Sequence, residues 1–290
     1  MKGDTNSAET QHWKEEISPY GAWHEVNVRE IWAYRDLIRV FVKRDITAIY
    51  KQTILGPLWF FLQPLLTTAL YIVIFSRIGK FGTGGLPPAL FYLSGLVPWL
   101  YFSECITRTS GFLKDNQAIF SKVYFPRLVV PISLVLTNLV KMAIQLILFL
   151  LVYFYFLLMQ PGVFAPQASL VLLPALVILS ALFGLALGLI ISSMTTKYKD
   201  LTHLVSFGVQ LLMFLTPVIY PLENLKGSWL YHLVQLNPIT GLVESFRHGF
   251  FGTGSWNPAI LAYDAVFILL TLLLGLLAFN RVEKEFIDTI

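Results

Sequence analysis

Charge is scarce in this chain: only 13% of its 290 residues are Asp, Glu, Lys or Arg, against about 25% in soluble domains. With 56% hydrophobic residues and a mean hydropathy of +0.67, a soluble globular fold is excluded. The net charge of +4 is too small to imply nucleic-acid binding, so the placement of the cations matters more than their sum. One cysteine, Cys105, excludes an intrachain disulfide framework and a cysteine-cluster metal site. No G-x-x-x-x-G-K-[ST] loop occurs; Ile78-Gly79-Lys80-Phe81 lacks both the glycine spacing and the hydroxyl, so the chain is not expected to hydrolyse ATP alone. H-E-x-x-H is absent, and His12, His24, His203, His232 and His248 show no ligand spacing. G-x-S-x-G is absent too, despite Ser192-Ser193. The first 50 residues are polar and carry no signal-peptide pattern, so the N-terminus is expected to stay on the side of synthesis.

Long uncharged runs are what the chain has instead. A membrane-spanning helix needs about 20 apolar residues. Runs 52–76, 81–103, 142–196, 201–222 and 265–280 lack Asp, Glu, Lys and Arg, and the longest is broken at Gln160-Pro161-Gly162 and Pro166. These predict an all-α polytopic membrane protein with six spans: 55–77, 88–110, 135–158, 170–194, 201–220 and 258–280. With the N-terminus in the cytoplasm, 16 Lys and Arg fall in cytoplasmic pieces and 4 (Arg77, Lys80, Lys226, Arg247) in outer ones, with Lys141 inside a span. This bias places both termini in the cytoplasm.

Residues 28–52 carry apolar positions at helical spacing (Val28, Ile31, Ile38, Phe41, Ile49) beside a basic row, Arg35, Arg39 and Lys43. They read as an N-terminal amphipathic helix in the membrane interface, either pinning a partner or resting on anionic lipid. Residues 111–127 mix charge with Phe120 and Phe125; they form either a docking surface or a loop with its rings tucked under the bundle. Residues 221–257 are too apolar for a solvated loop and suggest short helices dipping into the outer leaflet.

Ionisable residues within spans are few. Glu104 and Arg108 have the order of an intrahelical i, i+4 pair, and Lys141 and Asp264 are close enough to span ends to snorkel. Gly184 and Gly188 form a G-x-x-x-G pair suited to helix packing. Mixed faces stand out more. Phe60, Gln63, Thr67, Tyr71 and Phe75 share one side of the first span; Tyr92, Trp99 and Ser103 share one in the second, and Ser206, Gln210 and Phe214 in the fifth. Rings and neutral polar groups so arranged suit a path for a hydroxyl-rich solute held by many weak contacts. The competing reading is a set of interfacial or lipid-facing aromatics.

Several strings resemble the membrane subunit of ABC-2 type exporters, polysaccharide branch (O-antigen, teichoic-acid and capsule permeases). They are Arg35-Asp36-Leu37, Lys43-Arg44-Asp45, Tyr50-Lys51-Gln52, LGPLWFFLQPLL (55–66), KDNQAIFSKVYFPRLVVP (114–131), KYKDL (197–201), TPVIYP (216–221) and NPITGLVESFRHGFFG (237–252). The resemblance implies a homodimer paired with two copies of a cytosolic ABC ATPase in the bacterial plasma (inner) membrane, exporting lipid-linked polysaccharide. This chain itself would carry no cofactor, ATP and Mg belonging to the ATPase. It further implies three parts: a cytoplasmic N-terminus with its interface helix (1–54), a transmembrane domain (55–280) and a cytoplasmic tail (281–290). Within the domain, 111–127 would be the cytoplasmic coupling helix, using Lys114, Asp115, Asn116, Phe120, Lys122, Phe125 and Arg127. Residues 221–257 would hold re-entrant outer gate helices with Asn237, Pro238, Glu244 and Arg247. Glu244 and Arg247 match the family's E-x-x-R and would pair or cap locally, or else form a surface ion pair. An ABC-2 exporter of a lipid or small molecule is the alternative, ahead of a polytopic membrane transferase, for which Glu104 is the one plausible acid. Reporter fusions at residues 80 and 226 are expected to register the outer side; a cytoplasmic signal from either overturns the topology.

Overall fold

A computed structural model describes residues 28–51, 54–160, 162–195 and 201–287. The expectations for 1–27, for Lys197 and Lys199, and for 288–290 lie outside the described residues. The described residues form helices and turns with no strand among them: α1 (Val28–Ala33), α2 (Arg35–Lys51), α3 (Trp59–Tyr71), α4 (Pro88–Ser110), α5 (Phe112–Asp115), α6 (Gln117–Phe120), α7 (Val129–Met159), α8 (Leu173–Thr195), α9 (Leu201–Phe214), α10 (Trp229–Gln235), α11 (Pro238–Phe251) and α12 (Pro258–Ile287).

Among the described residues, five stretches are long and apolar enough to cross a membrane: Gly56–Ile78, Pro88–Ser110, Val129–Met159, Ala168–Thr195 and Pro258–Glu283. They overlap five of the six expected spans. The fifth expected span, 201–220, is cut short. α9 has 14 residues, about 21 Å at 1.5 Å per residue, against a hydrocarbon core of about 30 Å. Pro217 stops it, because proline lacks an N–H to donate; Thr216 Oγ1 instead caps back onto the Leu212 carbonyl at 2.9 Å. Conversely α7 starts six residues before the expected 135 and runs for 31 residues, Pro131 being tolerated in its opening turns. The first stretch is not uniform. Gly56 takes φ +47°, a left-handed conformation cheap only for glycine, Pro57 then opens a single 3-10 turn, and after α3 the chain widens into a π-helical segment, Ile72–Ile78.

α4 is the central post. Its residues from Leu90 through Trp99 are all buried, with α8, α7, α11, α3 and α9 packed around it. α8 approaches closely because it has no side chain at the contact points. A Cβ on Gly184 would stand 2.5 Å from Cys105 Cβ, and one on Gly188 2.5 Å from Thr109 Cβ. On its other side, Ala186 faces Gly275 of α12, where an added Cβ would meet the Ala186 carbonyl oxygen at 2.7 Å. Small residues thus set the helix spacing, as expected where dispersion rather than hydrophobicity drives association.

Two apolar clusters fill the bundle. The larger runs along α4, α7, α8 and α11. The smaller lies at the opposite end from α11 and joins Phe41 of α2 to Phe112, Phe125, Leu134, Leu189 and Phe279. α2 therefore puts its apolar face on the bundle, while Trp32 and Val40 remain exposed.

Overpacking a tight interface costs about 1–3 kcal/mol. Gly188→Ile is expected to lower the thermal midpoint of the detergent-solubilised protein, whereas Gly208→Ala, whose Cβ meets nothing within 4 Å, should leave it unchanged or slightly higher.

Candidate functional site

Three polar features interrupt the apolar bundle: a strip along α3 and α9, a set of ion pairs at the α2 end, and a buried ion pair at the α11 end.

On the strip, Gln63 is exposed and Phe60, Thr67, Tyr71 and Phe75 are half-buried. Thr67 Oγ1 donates to the Gln63 carbonyl one turn back at 2.9 Å, which satisfies it without a neighbouring helix. Tyr71 links three helices: its hydroxyl donates to Met213 Sδ of α9 at 3.5 Å, and its ring stands edge-on to Tyr92 of α4, 5.9 Å between centroids, and to Phe75 at 5.4 Å. α9 contributes Ser206, Gln210 and Phe214, all exposed. Tyr92 and Trp99 depart from this surface. They are buried in the interior, Tyr92 behind Tyr71 and Trp99 against Phe102 at 5.7 Å, because α4 is enclosed by neighbours on nearly every side. Ser103 is half-buried, donating to the Leu100 carbonyl at 3.1 Å. Met213 was not singled out in the sequence, where a methionine in an apolar helix carries no signal.

At the α2 end the expected Glu104–Arg108 pair is replaced. Glu104 Oε2 instead takes Lys141 Nζ of α7 as its partner, and Arg108 turns to Asp45 of α2 at 3.9 Å. Lys141 thus does not snorkel. A pair between helices in partly desolvated surroundings is stronger than one on a single wet helix face, worth about 0.3–0.5 kcal/mol. The 111–127 segment consists of two single-turn helices, α5 and α6. Phe125 is buried against Phe41 at 5.9 Å and Phe120 at 5.6 Å; Asn116 is half-buried, its Nδ2 donating to the Phe112 carbonyl at 2.9 Å. Arg127 is nearly enclosed, with its Nη1 donating to the Glu283 carbonyl at 3.3 Å and its guanidinium 5.6 Å from the Phe120 ring. Burial pushes the Arg127 guanidinium down from its ordinary value, and the Glu283 carboxylate opposes this. Lys114, Asp115 and Lys122 are exposed, as is Tyr124 at 82%. Tyr124 was missed in the sequence; its place before Phe125-Pro126 gives no hint which of the two rings faces out.

At the α11 end, Glu244 and Arg247 form the expected local i, i+3 pair, and it is buried rather than on the surface. They meet at 3.0 Å with side-chain exposures of 3% each. Arginine has five N–H donors, and each position of the guanidinium is used. Nε donates to Ser94 Oγ at 3.3 Å, Nη1 to Glu244 Oε1 and the Pro217 carbonyl, and Nη2 to the carbonyls of Val218 at 3.0 Å and Phe91 at 3.4 Å. The Phe91 ring lies 4.0 Å from the guanidinium carbon. Gly95 leaves the room: a Cβ there would stand 2.8 Å from Arg247 Nη2. Glu244 Oε2 in turn accepts from Ser255 N at 3.0 Å. Asn237 caps α11, accepting from Ile239 N at 3.4 Å while donating to Thr216 Oγ1 at 3.1 Å, and Pro238 occupies the first helical position. Asp264 also departs from expectation. It does not snorkel; it is fully buried, neither carboxyl oxygen has a hydrogen-bond partner among the described residues, and it sits directly on Gly241, whose missing side chain lets α11 and α12 close over it.

Among the described residues no group of three or more His, Cys, Asp or Glu side chains gathers to hold a metal ion. A cleft of about 320 Å³ opens between α4, α8 and α9, lined by apolar side chains including Ile106, Ile191 and Val205.

The class that this fold and these features define is a multi-pass helical membrane protein with a partly exposed polar and aromatic strip, ion pairs between helices and a buried ion pair within α11. The chain belongs to the ABC-2 type transporter family, which it matches over residues 36–251. It is 34% identical over 225 residues to an O-antigen export system permease protein of Myxococcus xanthus, covering 77% of this chain and 84% of that one. It is also similar to an O-antigen export system permease protein of Klebsiella pneumoniae, 28% identical over 87% of this chain and 94% of the other. A third relative is the polysialic acid transport protein KpsM of Escherichia coli, 26% identical over 85% and 93% of the two chains.

Removing one partner of a buried ion pair costs about 3–5 kcal/mol. Arg247→Ala is expected to lower the thermal midpoint sharply or abolish recovery of folded protein, and Arg247→Lys to rescue little, since an ammonium offers three donors in place of five. A midpoint within two degrees of wild type for Arg247→Ala would contradict this assignment.

Proposed function

We propose that the chain is the permease subunit of an ABC exporter that moves lipid-linked polysaccharide from the cytoplasm to the outer side of the bacterial inner membrane. The observation that carries this reading is similarity over 77% to 87% of the chain to two O-antigen export permeases and a polysialic acid transport protein. Two copies enclose the path, and two copies of a separate cytosolic ATPase, with ATP and Mg, supply the energy.

In this reading α9 and the turn after it complete a sixth crossing. Five crossings alone would separate the termini, leaving Arg281 and the basic residues before α3 on opposite sides of the membrane, against the positive-inside bias. α1 and α2 then lie along the inner face, with Trp32 of α1 and Val40 of α2 available to the headgroup region. Residues 111–127 receive the ATPase stroke through exposed Lys114, Asp115 and Lys122, while buried Phe125 and Arg127 tie the segment to the bundle. α10 and α11 form the outer gate, stiffened by Glu244 and Arg247.

The α3 and α9 strip is the wall that two copies turn toward the cargo. Uncovered Gln63 and Gln210 are poorly suited to hydrocarbon, where an unpaired amide costs several kcal/mol. Phe60, Gln63, Thr67, Tyr71, Phe75, Gln210 and Phe214 form the lining; Tyr92 and Trp99 support it from behind. Sugar rings pass over aromatic faces while amides and hydroxyls exchange hydrogen bonds, each contact weak enough to release. Ring contacts are worth about 0.5–1.5 kcal/mol each. Phe60→Ala with Tyr71→Ala is therefore expected to cut the rate of polymer export about tenfold at unchanged protein level in cells that supply the ATPase. Wild-type export by that variant would remove these rings from the path.

A further inference from the structure

Lys141 connects more than the ion pair explains. Its ammonium is held by Glu104 of α4, and it also lies 5.8 Å from the ring centroid of Phe60 on α3, within cation–π reach. One side chain of α7 thereby touches both neighbouring helices. α4 and α7 are the two helices joined by the 111–128 connection, so a displacement of that connection bears on both. The Glu104–Lys141 pair ties them together above it, with side-chain exposures of 37% and 16%. Partial desolvation makes the pair resist separation more than a surface pair would. Phe60, the third member of the contact, heads the α3 row of Gln63, Thr67 and Tyr71.

We propose that Lys141 is a positioning residue that transmits movement of the α4–α7 hairpin to Phe60. This rests on the exporter reading above and deepens it. Glu104 fixes where the ammonium sits; the ammonium fixes the Phe60 ring at the end of the lining nearest the 111–128 connection. When the connection is pushed, the pair moves with the hairpin, the ammonium shifts relative to the ring, and Phe60 changes its presentation to the cargo. Lys141 reaches the cargo through Phe60 alone.

The test is a double-mutant cycle on the complex with its ATPase in proteoliposomes, reading polymer exported per ATP hydrolysed for Lys141→Met, Phe60→Leu and the double variant. Each single change is expected to lower that ratio about threefold, and the double variant to be no worse than either, because residues acting through one contact are non-additive. Lys141→Arg, which keeps the cation, and the exchange Glu104→Lys with Lys141→Glu, which keeps the tie between helices but moves the cation from α7 to α4, separate the two roles. Arg is expected to restore the ratio and the exchange to restore only the thermal midpoint. Multiplying losses of about ninefold in the double variant, a ratio unchanged in Lys141→Met, or full recovery of the ratio in the exchange would each overturn the proposal. A wild-type complex that hydrolyses ATP and exports no polymer would instead remove the exporter reading beneath it.

Discussion

Arg247 is satisfied from three directions, and the α11 end is built around that requirement. A guanidinium enclosed by protein must find an acceptor for each donor, or the burial costs more than packing returns. Here the acceptors are Ser94 and Phe91 at the start of α4, the Pro217 and Val218 carbonyls past α9, and Glu244 one turn away on α11. Those carbonyls are free to accept because proline at 217 ended α9 and left the following backbone outside a helix. Glu244 then extends the network to Ser255, at the approach to α12. The short α9, the irregular turn and the enclosed pair are thus one arrangement. Each explains why the others are tolerated in an enclosed place, where unpaired backbone is costly.

The opposite end is held by several weaker connections. Asp45–Arg108, Glu104–Lys141 and Arg127–Glu283 each join two different elements, and all are partly exposed. Each contributes less than an enclosed pair, and a partly desolvated one such as Glu104–Lys141 more than a pair on an open surface. They also fix geometry: Asp45–Arg108 ties α2 to α4, Glu104–Lys141 ties α4 to α7, and Arg127–Glu283 ties the connection between α4 and α7 to α12. The α11 end thus holds one saturated cation, and the opposite end distributed pairs between elements.

Between the two ends, the strip holds exposed Gln63, Gln210 and Phe214 beside half-buried Phe60, Thr67 and Tyr71, an arrangement that follows from the enclosure of α4. Because α4 is surrounded, its own aromatics at 92 and 99 are consumed by the interior, and α3 and α9 remain as the surfaces with rings and amides to offer.

How much of this could be read in advance follows from the range of each force. Helix existence depends on local composition, so five stretches able to span a membrane, the break at 160–162, the G-x-x-x-G contact and the ABC-2 strings were legible from residues close together in the chain. Partner choice for charges was not. Glu104 and Arg108 are four apart and Glu104 and Lys141 thirty-seven, yet the distant lysine takes the carboxylate, because packing of α4 on α7 decides which ammonium arrives. The burial of Asp264 over Gly241 and the withdrawal of Tyr92 and Trp99 have the same origin. The amino-acid order by itself determined that this chain lives in a membrane as helices, since the cost of unsatisfied backbone in hydrocarbon acts on each segment alone. Only the tertiary structure decided which polar groups are hidden, which are paired and which face outward, since those outcomes depend on helix neighbours that no local pattern specifies.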